Sequence, residues 1–313
     1  MEDEAAPRHV SVLVDEVRAL LEPQRGGLFV DGTVGLGGHA RMLLEGGAER
    51  VIGIDRDPRA LELARETLAV FGDRVTLVHA DYRELPAVLA AEGVGHVMGV
   101  LLDLGVSSMQ LDEEGRGFSF RRDEPLDMRM DRSQGQTLAE RLVDVEETAL
   151  ADVIFQFGEE RKSRRVARAI VEARQREPIE RTGQLAAIVR RAVGGPWQRI
   201  DPATRTFQAL RIWVNGELDG LDSCIGRALD VLQPADEDTA GGRLAVISFH
   251  SLEDRIVKHT FRALAHRDAP RVRVLTKRPM VAGDEEVAGN PRARSAKLRG
   301  VERVAQADLR GRA

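Results

Sequence analysis

The segment from residue 27 to residue 57 constrains this chain most, because two short apolar runs flank a glycine-rich loop there. The first run, Leu28 to Val30, ends at Asp31, and the second, Val51 to Ile54, ends at Asp55. Between them lie the loop glycines Gly32, Gly35, Gly37 and Gly38. Strand, glycine loop, helix and strand, with an acid about 20 residues beyond the loop, are typical of the nucleotide-binding half of a doubly wound sheet. The segment predicts an α/β fold that binds a ligand with an adenosine end.

The acid at the start of this loop bears on which ligand binds. A dinucleotide presents a pyrophosphate, which the Asp31 carboxylate would repel, whereas S-adenosylmethionine carries a sulfonium and an ammonium and no phosphate. The loop therefore favours a methyltransferase over a nicotinamide dehydrogenase. A glycine pattern alone is weak evidence, so both remain open at this point. Whether S-adenosylmethionine or NAD raises the melting temperature would distinguish them.

Acids and other polar residues follow several predicted strands at the point where each strand ends. Val75 to His79 leads to Asp81 and Tyr82, Val97 to Leu102 leads to Asp103, and Arg243 to Ser248 leads to His250 and Glu253. Open α/β sheets bind ligands at the carboxyl ends of their strands. These residues are therefore predicted to share one edge of the sheet with Asp31 and Asp55.

The middle of the chain has a different pattern. The segment from Gly105 to Asp131 is too long for a simple connection, and we expect it to cover the active site. Helical periodicity then continues from Thr137 to about Arg211. We predict an α/β domain formed by residues 1–134 and 213–313, interrupted by an all-helical subdomain at residues 135–212.

Composition restricts the class of protein. The net charge of -5 argues against general attraction to nucleic acid, but residues 159–176 hold seven Arg or Lys against three Glu, and residues 290–313 hold seven against two acids. Two basic patches on an acidic body suit a protein that meets a polyanion at one face. The single cysteine, Cys224, excludes an internal disulfide. We predict no metal site, no membrane span and a cytoplasmic location.

Motifs along almost the whole chain resemble the MraW-type methyltransferases, which modify N4 of a cytidine in bacterial small-subunit ribosomal RNA. The segments that carry the resemblance include residues 9–13 (HVSVL), 31–39 (DGTVGLGGH), 54–58 (IDRDP), 102–108 (LDLGVSS), 116–120 (RGFSF), 125–131 (PLDMRMD), 206–211 (TFQALR), 248–255 (SFHSLEDR) and 290–299 (NPRARSAKLR).

The resemblance implies a class I methyltransferase domain, S-adenosylmethionine as cofactor, and the 16S RNA of the small ribosomal subunit as partner. It assigns the methionine part of the cofactor to Gly37, Gly38 and His39 and the ribose to Asp55. The adenine region falls to Tyr82 and Asp103, with Gln110 close by. Residues 135–212 are the expected RNA-recognition subdomain, and a homodimer is left open.

Chemistry adds candidates for the transfer step. The cytosine N4 amine is a poor nucleophile, so a residue must accept its proton and orient it. Asp103 is the first candidate, with His250 and Glu253 as alternatives. Phe118 or Phe120 could stack on the target base, and Arg161 to Arg176 and Arg292 to Arg299 could contact phosphates. Two alternative functions remain. The first is a DNA amino-methyltransferase, although the two consecutive prolines that such enzymes carry after their fourth strand are absent after Asp103. The second is a noncatalytic ribosome assembly factor that retains the cofactor pocket.

Overall fold

The computed structural model describes residues 11–105, 113–194, 201–236, 239–266 and 270–305, and the chain divides into two compact units. The first unit combines residues 1–105 with 220–313, and the second is formed by residues 106–219. Residues 135–212, which we predicted as a helical subdomain, lie within the second unit. Among the described residues, no helix has both the length and the apolar character needed to cross a membrane.

The first unit is built on one seven-stranded sheet with the order β3-β2-β1-β4-β5-β7-β6. The strands are β1 (Leu28–Asp31), β2 (Arg50–Asp55), β3 (Val75–His79), β4 (Gly99–Asp103), β5 (Arg243–Ser248), β6 (Val272–Val274) and β7 (Lys297–Arg303). The first five pair in parallel, and β7 is antiparallel to both β5 and β6. Strand order reverses between β1 and β4, which is where a doubly wound sheet opens a ligand crevice. The predicted Rossmann-like fold is confirmed.

Helices cover both faces of this sheet. They are α1 (Val14–Leu21), α2 (Gly38–Glu45), α3 (Pro58–Leu68), α4 (Leu85–Ala91), α10 (Leu221–Asp230), α11 (Ser251–Leu264) and α12 (Asp284–Gly289). Apolar residues of α1, α2 and α3 form one core with inner residues of the sheet. On the other face α11 packs against β5, β6 and β7 and contacts α10. The central strands are apolar on both sides because both faces are buried.

The C-terminal segment differs from its sequence-based interpretation. From Asn290 the sequence is arginine-rich and its periodicity is too weak to predict an element, and the structure has β7 there, inserted between β5 and β6. Arg299 is only 7% exposed and its Nε donates to Oδ1 of Asp254 at 2.6 Å. Its charge is paired inside the fold, so Arg299 does not belong to a solvated tail.

The second unit is helical, as predicted. It contains α5 (Leu138–Asp144), α6 (Glu147–Gly158), α7 (Ser163–Arg174), α8 (Thr182–Val193) and α9 (Ala203–Asn215), packed around an aliphatic core. The preceding loop is folded onto this core, because Leu126, Met128 and Met130 are buried in it. The Met130 N–H also donates to Oδ1 of Asn215 at 2.8 Å.

Candidate functional site

Three carboxylates lie at the carboxyl ends of β1, β2 and β4 in the first unit, and short backbone hydrogen bonds hold each of them. Oδ1 of Asp31 accepts from the Thr33 N–H at 3.2 Å. Oδ2 of Asp55 accepts from the Gly35 N–H at 2.9 Å, and Oδ1 of Asp103 accepts from the Gly105 N–H at 3.3 Å. The Asp55 bond therefore ties the end of β2 to the glycine loop, whereas the other two bonds are local turns.

The glycine loop depends on backbone conformations and close approaches that side chains would disturb. Gly37 has φ of 86° and precedes the first residue of α2, where a non-glycine residue would be strained. A Cβ on Gly38 would lie 2.2 Å from Oγ of Ser11, so the N-terminal segment packs directly on the loop. This contact joins the segment at Ser11 to the glycine loop.

His39 is buried in the first turn of α2, and its Nε2 lies 2.9 Å from the carbonyl oxygen of Val12. A carbonyl can only accept, so Nε2 carries a hydrogen and donates. The ring thus anchors the N-terminal segment to the loop. Its charged form would also stabilise the ionised carboxylates of Asp31 and Asp103, to which it is electrostatically linked.

The pKa values of the three acids are raised above those of exposed carboxylates. Burial raises the pKa of Asp31 to about 6, with His39 opposing that rise and the neighbouring carboxylates of Asp103 and Asp55 adding to it. Burial likewise raises the pKa of Asp55 and of Asp103. Oδ2 of Asp31 is buried and has no hydrogen-bond partner among the described residues. A buried acceptor without a donor is costly, and a bound cation would relieve that cost.

Asp55 has further acceptor capacity beyond the loop. Its Oδ1 accepts from the Asp57 N–H at 2.9 Å, while Oδ2 accepts from Gly35. An ionised carboxylate offers about four lone-pair sites, so two remain for a ligand hydroxyl. The assignment of ribose binding to Asp55 is compatible with this geometry and stays a prediction.

Tyr82 and Asp81 follow β3 and differ in their engagement. The Asp81 carboxylate accepts from both the N–H and the guanidinium of Arg83, each at 2.9 Å, and caps a short helical turn. Both carboxylate oxygens of Asp81 therefore accept from Arg83, whereas Oδ2 of Asp31 has no partner among the described residues. The Arg83 guanidinium lies 5.0 Å from the centre of the half-buried Tyr82 ring. The adenine role predicted for Tyr82 remains untested.

His250 and Glu253 begin α11, directly after β5, and form a reciprocal cap. The Glu253 N–H donates to Nδ1 of His250 at 3.4 Å, and Oε2 of Glu253 accepts from the Phe249 N–H at 2.8 Å. Nε2 of His250 lies 3.1 Å from Oε1 of Glu253, yet their alignment does not make a hydrogen bond. The Glu253 carboxylate helps to raise the pKa of Asp103. The three catalytic candidates thus converge at one edge of the sheet.

Other predicted residues are placed differently. Gln110 lies outside the described residues, as does the rest of 106–112. Phe118 is only 7% exposed in the core of the second unit, and Phe120 packs edge to face on Phe207 with ring centres 4.8 Å apart. Both rings are already used in packing, which favours a role in anchoring their loop over stacking on a base.

Thr33 is a residue of the site that the sequence analysis overlooked. Its Oγ1 accepts from the Asp103 N–H at 2.7 Å, which ties the loop after β1 to the end of β4. The hint in the sequence was its place between Gly32 and Gly35, in a loop that we interpreted through its glycines and Asp31. The bond depends on β1 and β4 being neighbours, which local sequence does not reveal.

Together these residues suit a cationic ligand with an adenosine end. The loop from Asp31 to His39 contains no Lys or Arg to pair with a phosphate. It offers instead an unpartnered Asp31 oxygen and glycines that leave room for close approach. S-adenosylmethionine fits this set of groups, whereas a pyrophosphate does not.

Comparison with known proteins agrees with this geometry. Residues 6–304 match the model of the MraW methylase family. The chain is 54% identical to the "Ribosomal RNA small subunit methyltransferase H" of Sorangium cellulosum, over 96% of this chain and 92% of that one. It is 53% identical to the protein of the same name from Rhodopseudomonas palustris, with 95% and 91% covered. The Geobacter sulfurreducens protein of that name is 52% identical, with 95% and 99% covered.

Proposed function

Because this chain belongs to the MraW methylase family, we propose that it is a cytoplasmic enzyme that transfers a methyl group from S-adenosylmethionine to the 16S RNA of the small ribosomal subunit. The observation that carries the proposal is the buried carboxylate cluster around the glycine loop, centred on the unpartnered oxygen of Asp31. Such a site attracts a sulfonium and an ammonium. The names of the relatives support RNA as the acceptor.

Different residues of the site would contact different parts of the cofactor. S-adenosylmethionine, when bound, supplies a methyl group made electrophilic by the sulfonium. The backbone at Gly37 and Gly38 and the His39 turn would hold its methionine part, and Asp55 its ribose. Tyr82 and Asp103 would border the adenine, with Gln110 nearby. Asp31 and Asp103 would offset the positive charge.

The acceptor atom that we propose is the exocyclic N4 of a cytidine, on the strength of the motifs described above. Its lone pair is delocalised into the ring, so the enzyme must take up a proton as the amine reacts. Asp103 is the preferred acceptor because its raised pKa makes it a stronger base than an ordinary carboxylate. His250 and Glu253 stand beside it as alternatives or as groups that orient the amine.

The second unit would supply an RNA-binding face. Helix α7 buries Val166, Ala167 and Ile170 and exposes its basic residues except Arg174, which donates to the carbonyl oxygens of Leu142 and Val145 at 2.8 Å. The exposed cations on and next to this helix are Arg161, Lys162, Arg164, Arg165, Arg168 and Arg176. Of these, Lys162 donates through Nζ to the carbonyl oxygen of Val193 at 2.6 Å. Guanidinium groups bind phosphate oxygens in a bidentate manner, so this surface suits an RNA backbone.

The deciding experiment is transfer of labelled methyl from S-adenosylmethionine to small subunits purified from cells that lack this gene. The proposal expects label in N4-methylcytidine after digestion of the RNA. Label in another nucleoside would retain the enzyme class and reject the base. Cofactor binding without transfer to either subunits or naked RNA would favour the assembly-factor alternative, and transfer to DNA alone would favour the DNA enzyme.

A further inference from the structure

A basic hollow lies on the first unit between α11, the edge strand β6 and its neighbour β7, apart from the glycine loop. Its volume is about 310 Å³, near the lower limit for small-ligand pockets. The residues that line it are Lys258, Phe261, Arg262, Val274, Thr276, Lys277 and Arg299. We call this feature the basic hollow. Four of its seven lining residues are cations, which is a high density for one concave surface.

Most of this positive charge is not neutralised. Arg299 is paired with Asp254 at 2.6 Å. Lys258, Arg262 and Lys277, in contrast, have no ion pair or hydrogen bond with any residue of the described chain. Like charges held around one hollow repel each other, so an anion bound between them would lower the free energy.

A neutral donor is also available in the hollow. Thr276 is 8% exposed, and its Oγ1 accepts from the Gly300 N–H at 3.0 Å. Because that acceptance leaves the hydroxyl proton unused, Thr276 can donate to a bound oxygen. A fixed hydroxyl beside mobile cations is a common arrangement for a phosphate oxygen.

We propose that the basic hollow binds a backbone phosphate of the RNA substrate, an inference that rests on the proposed function. The residues that line the hollow supply cations and a hydroxyl, and they include no acidic or amide side chain. Its one ring, Phe261, is 2% exposed and unavailable for stacking, and the carboxylate of Asp254 is engaged by Arg299. It therefore recognises charge rather than sequence.

The position of the hollow in the sheet fits a neighbouring nucleotide. Lys297 at the start of β7 pairs with Ser248 at the end of β5, and β6 runs parallel to β5. Lys277, which follows β6, is thus directed to the same edge of the sheet as Asp103. Three strand spacings separate β6 from β4, roughly 14 Å. A phosphate in the hollow would therefore belong to a nucleotide other than the one at the reaction centre, within the same RNA segment.

The test compares two double variants that remove equal charge. Lys258→Gln with Lys277→Gln alters the hollow, and Arg18→Gln with Arg65→Gln alters exposed cations of the same unit that do not line it. The dissociation constant for small-subunit ribosomal RNA is measured from low to high salt. For the hollow variant we expect affinity to fall about tenfold and the slope of log K against log salt to decrease by about 0.7, the value for one lost phosphate contact on a single strand. S-adenosylmethionine affinity, melting temperature and kcat at saturating RNA should not change.

Three results would overturn the inference. These are an unchanged RNA affinity, an equal loss in both double variants, and a hollow variant that loses only stabilisation by inorganic phosphate, which would indicate a small-anion site. The proposed function fails separately. If the wild-type protein binds RNA but transfers no methyl group, the enzyme proposal is wrong, while the affinities and salt slopes still decide whether the hollow holds phosphate.

Discussion

The backbone N–H of Gly35 donates to Oδ2 of Asp55 at 2.9 Å, across 20 residues of chain. The bond joins the loop after β1 to the end of β2, so the side chain assigned to the ribose also sets the shape of the loop that would hold the methionine. The two halves of the cofactor site are consequently coupled, and a change at Asp55 acts on both.

We predict that Asp55→Asn weakens S-adenosylmethionine binding by about 1–3 kcal/mol, because it replaces an ionised acceptor by a neutral amide. Isothermal titration calorimetry would measure the change. Asp73→Asn, at an exposed residue of the same unit, is the matched control and should bind normally. An Asp55 variant with wild-type affinity would remove this residue from the site.

Asp31 should make stability depend on pH. Its folded-state pKa of about 6 lies above the ordinary value of 3.8, so its contribution to stability is complete below pH 3.8 and is lost as the pH rises through about 6. The displacement corresponds to roughly 3 kcal/mol. In Asp31→Asn the fall in unfolding free energy between pH 4 and pH 7 should shrink by about that amount. Parallel curves for the two proteins would contradict the assignment.

The same group should couple cofactor binding to protons. A cationic ligand prefers the ionised form of Asp31, so S-adenosylmethionine affinity should increase as the pH rises from 5 to 7, with release of a proton on binding. Calorimetry in buffers with different ionisation enthalpies measures that release directly. Asp31→Asn should bind more weakly and release less, and equal proton release in both proteins would exclude Asp31 as its source.

The role of His250 can be separated from its structural role. His250→Asn keeps a side-chain acceptor at the start of α11, since asparagine is a favourable N-cap residue. If the imidazole takes up or orients the amine proton, kcat should fall about 10²–10⁴-fold with unchanged cofactor affinity and melting temperature. His259→Asn, further along the same helix, should be fully active. A wild-type kcat for His250→Asn would leave Asp103 and Glu253 as the candidates.

The exposed arginines of α7 should act on RNA alone. Arg164→Gln with Arg165→Gln is expected to raise KM for small subunits about fivefold and to weaken its dependence on salt, because two phosphate contacts are lost. S-adenosylmethionine affinity should stay the same. Arg18→Gln with Arg65→Gln on the first unit provides a control of equal charge. A lower kcat without a change in KM would argue against a binding surface at α7.

Local sequence was sufficient to predict the fold class and the part of the site that lies around the glycine loop. Strand, glycine loop and strand are consecutive in the chain, so the apolar runs and the acids after them were sufficient to predict β1, β2 and the positions of Asp31 and Asp55. The helical unit was predicted equally well because helical periodicity is a property of neighbouring residues.

What the tertiary structure decided is the set of contacts between distant segments. Strand β7 lies between β5 and β6, where Arg299 meets Asp254, although the local sequence there is polar and shows no strand periodicity. Thr33 binds the end of β4 only because β1 and β4 are neighbours in the sheet. Asp103 and Glu253 come together because β4, which ends at Asp103, and β5, which precedes Glu253, are also neighbours in the sheet. Strand order is selected by the total free energy of packing, so these contacts have no signal in any single stretch of the chain, whereas the residues that form strands and loops do.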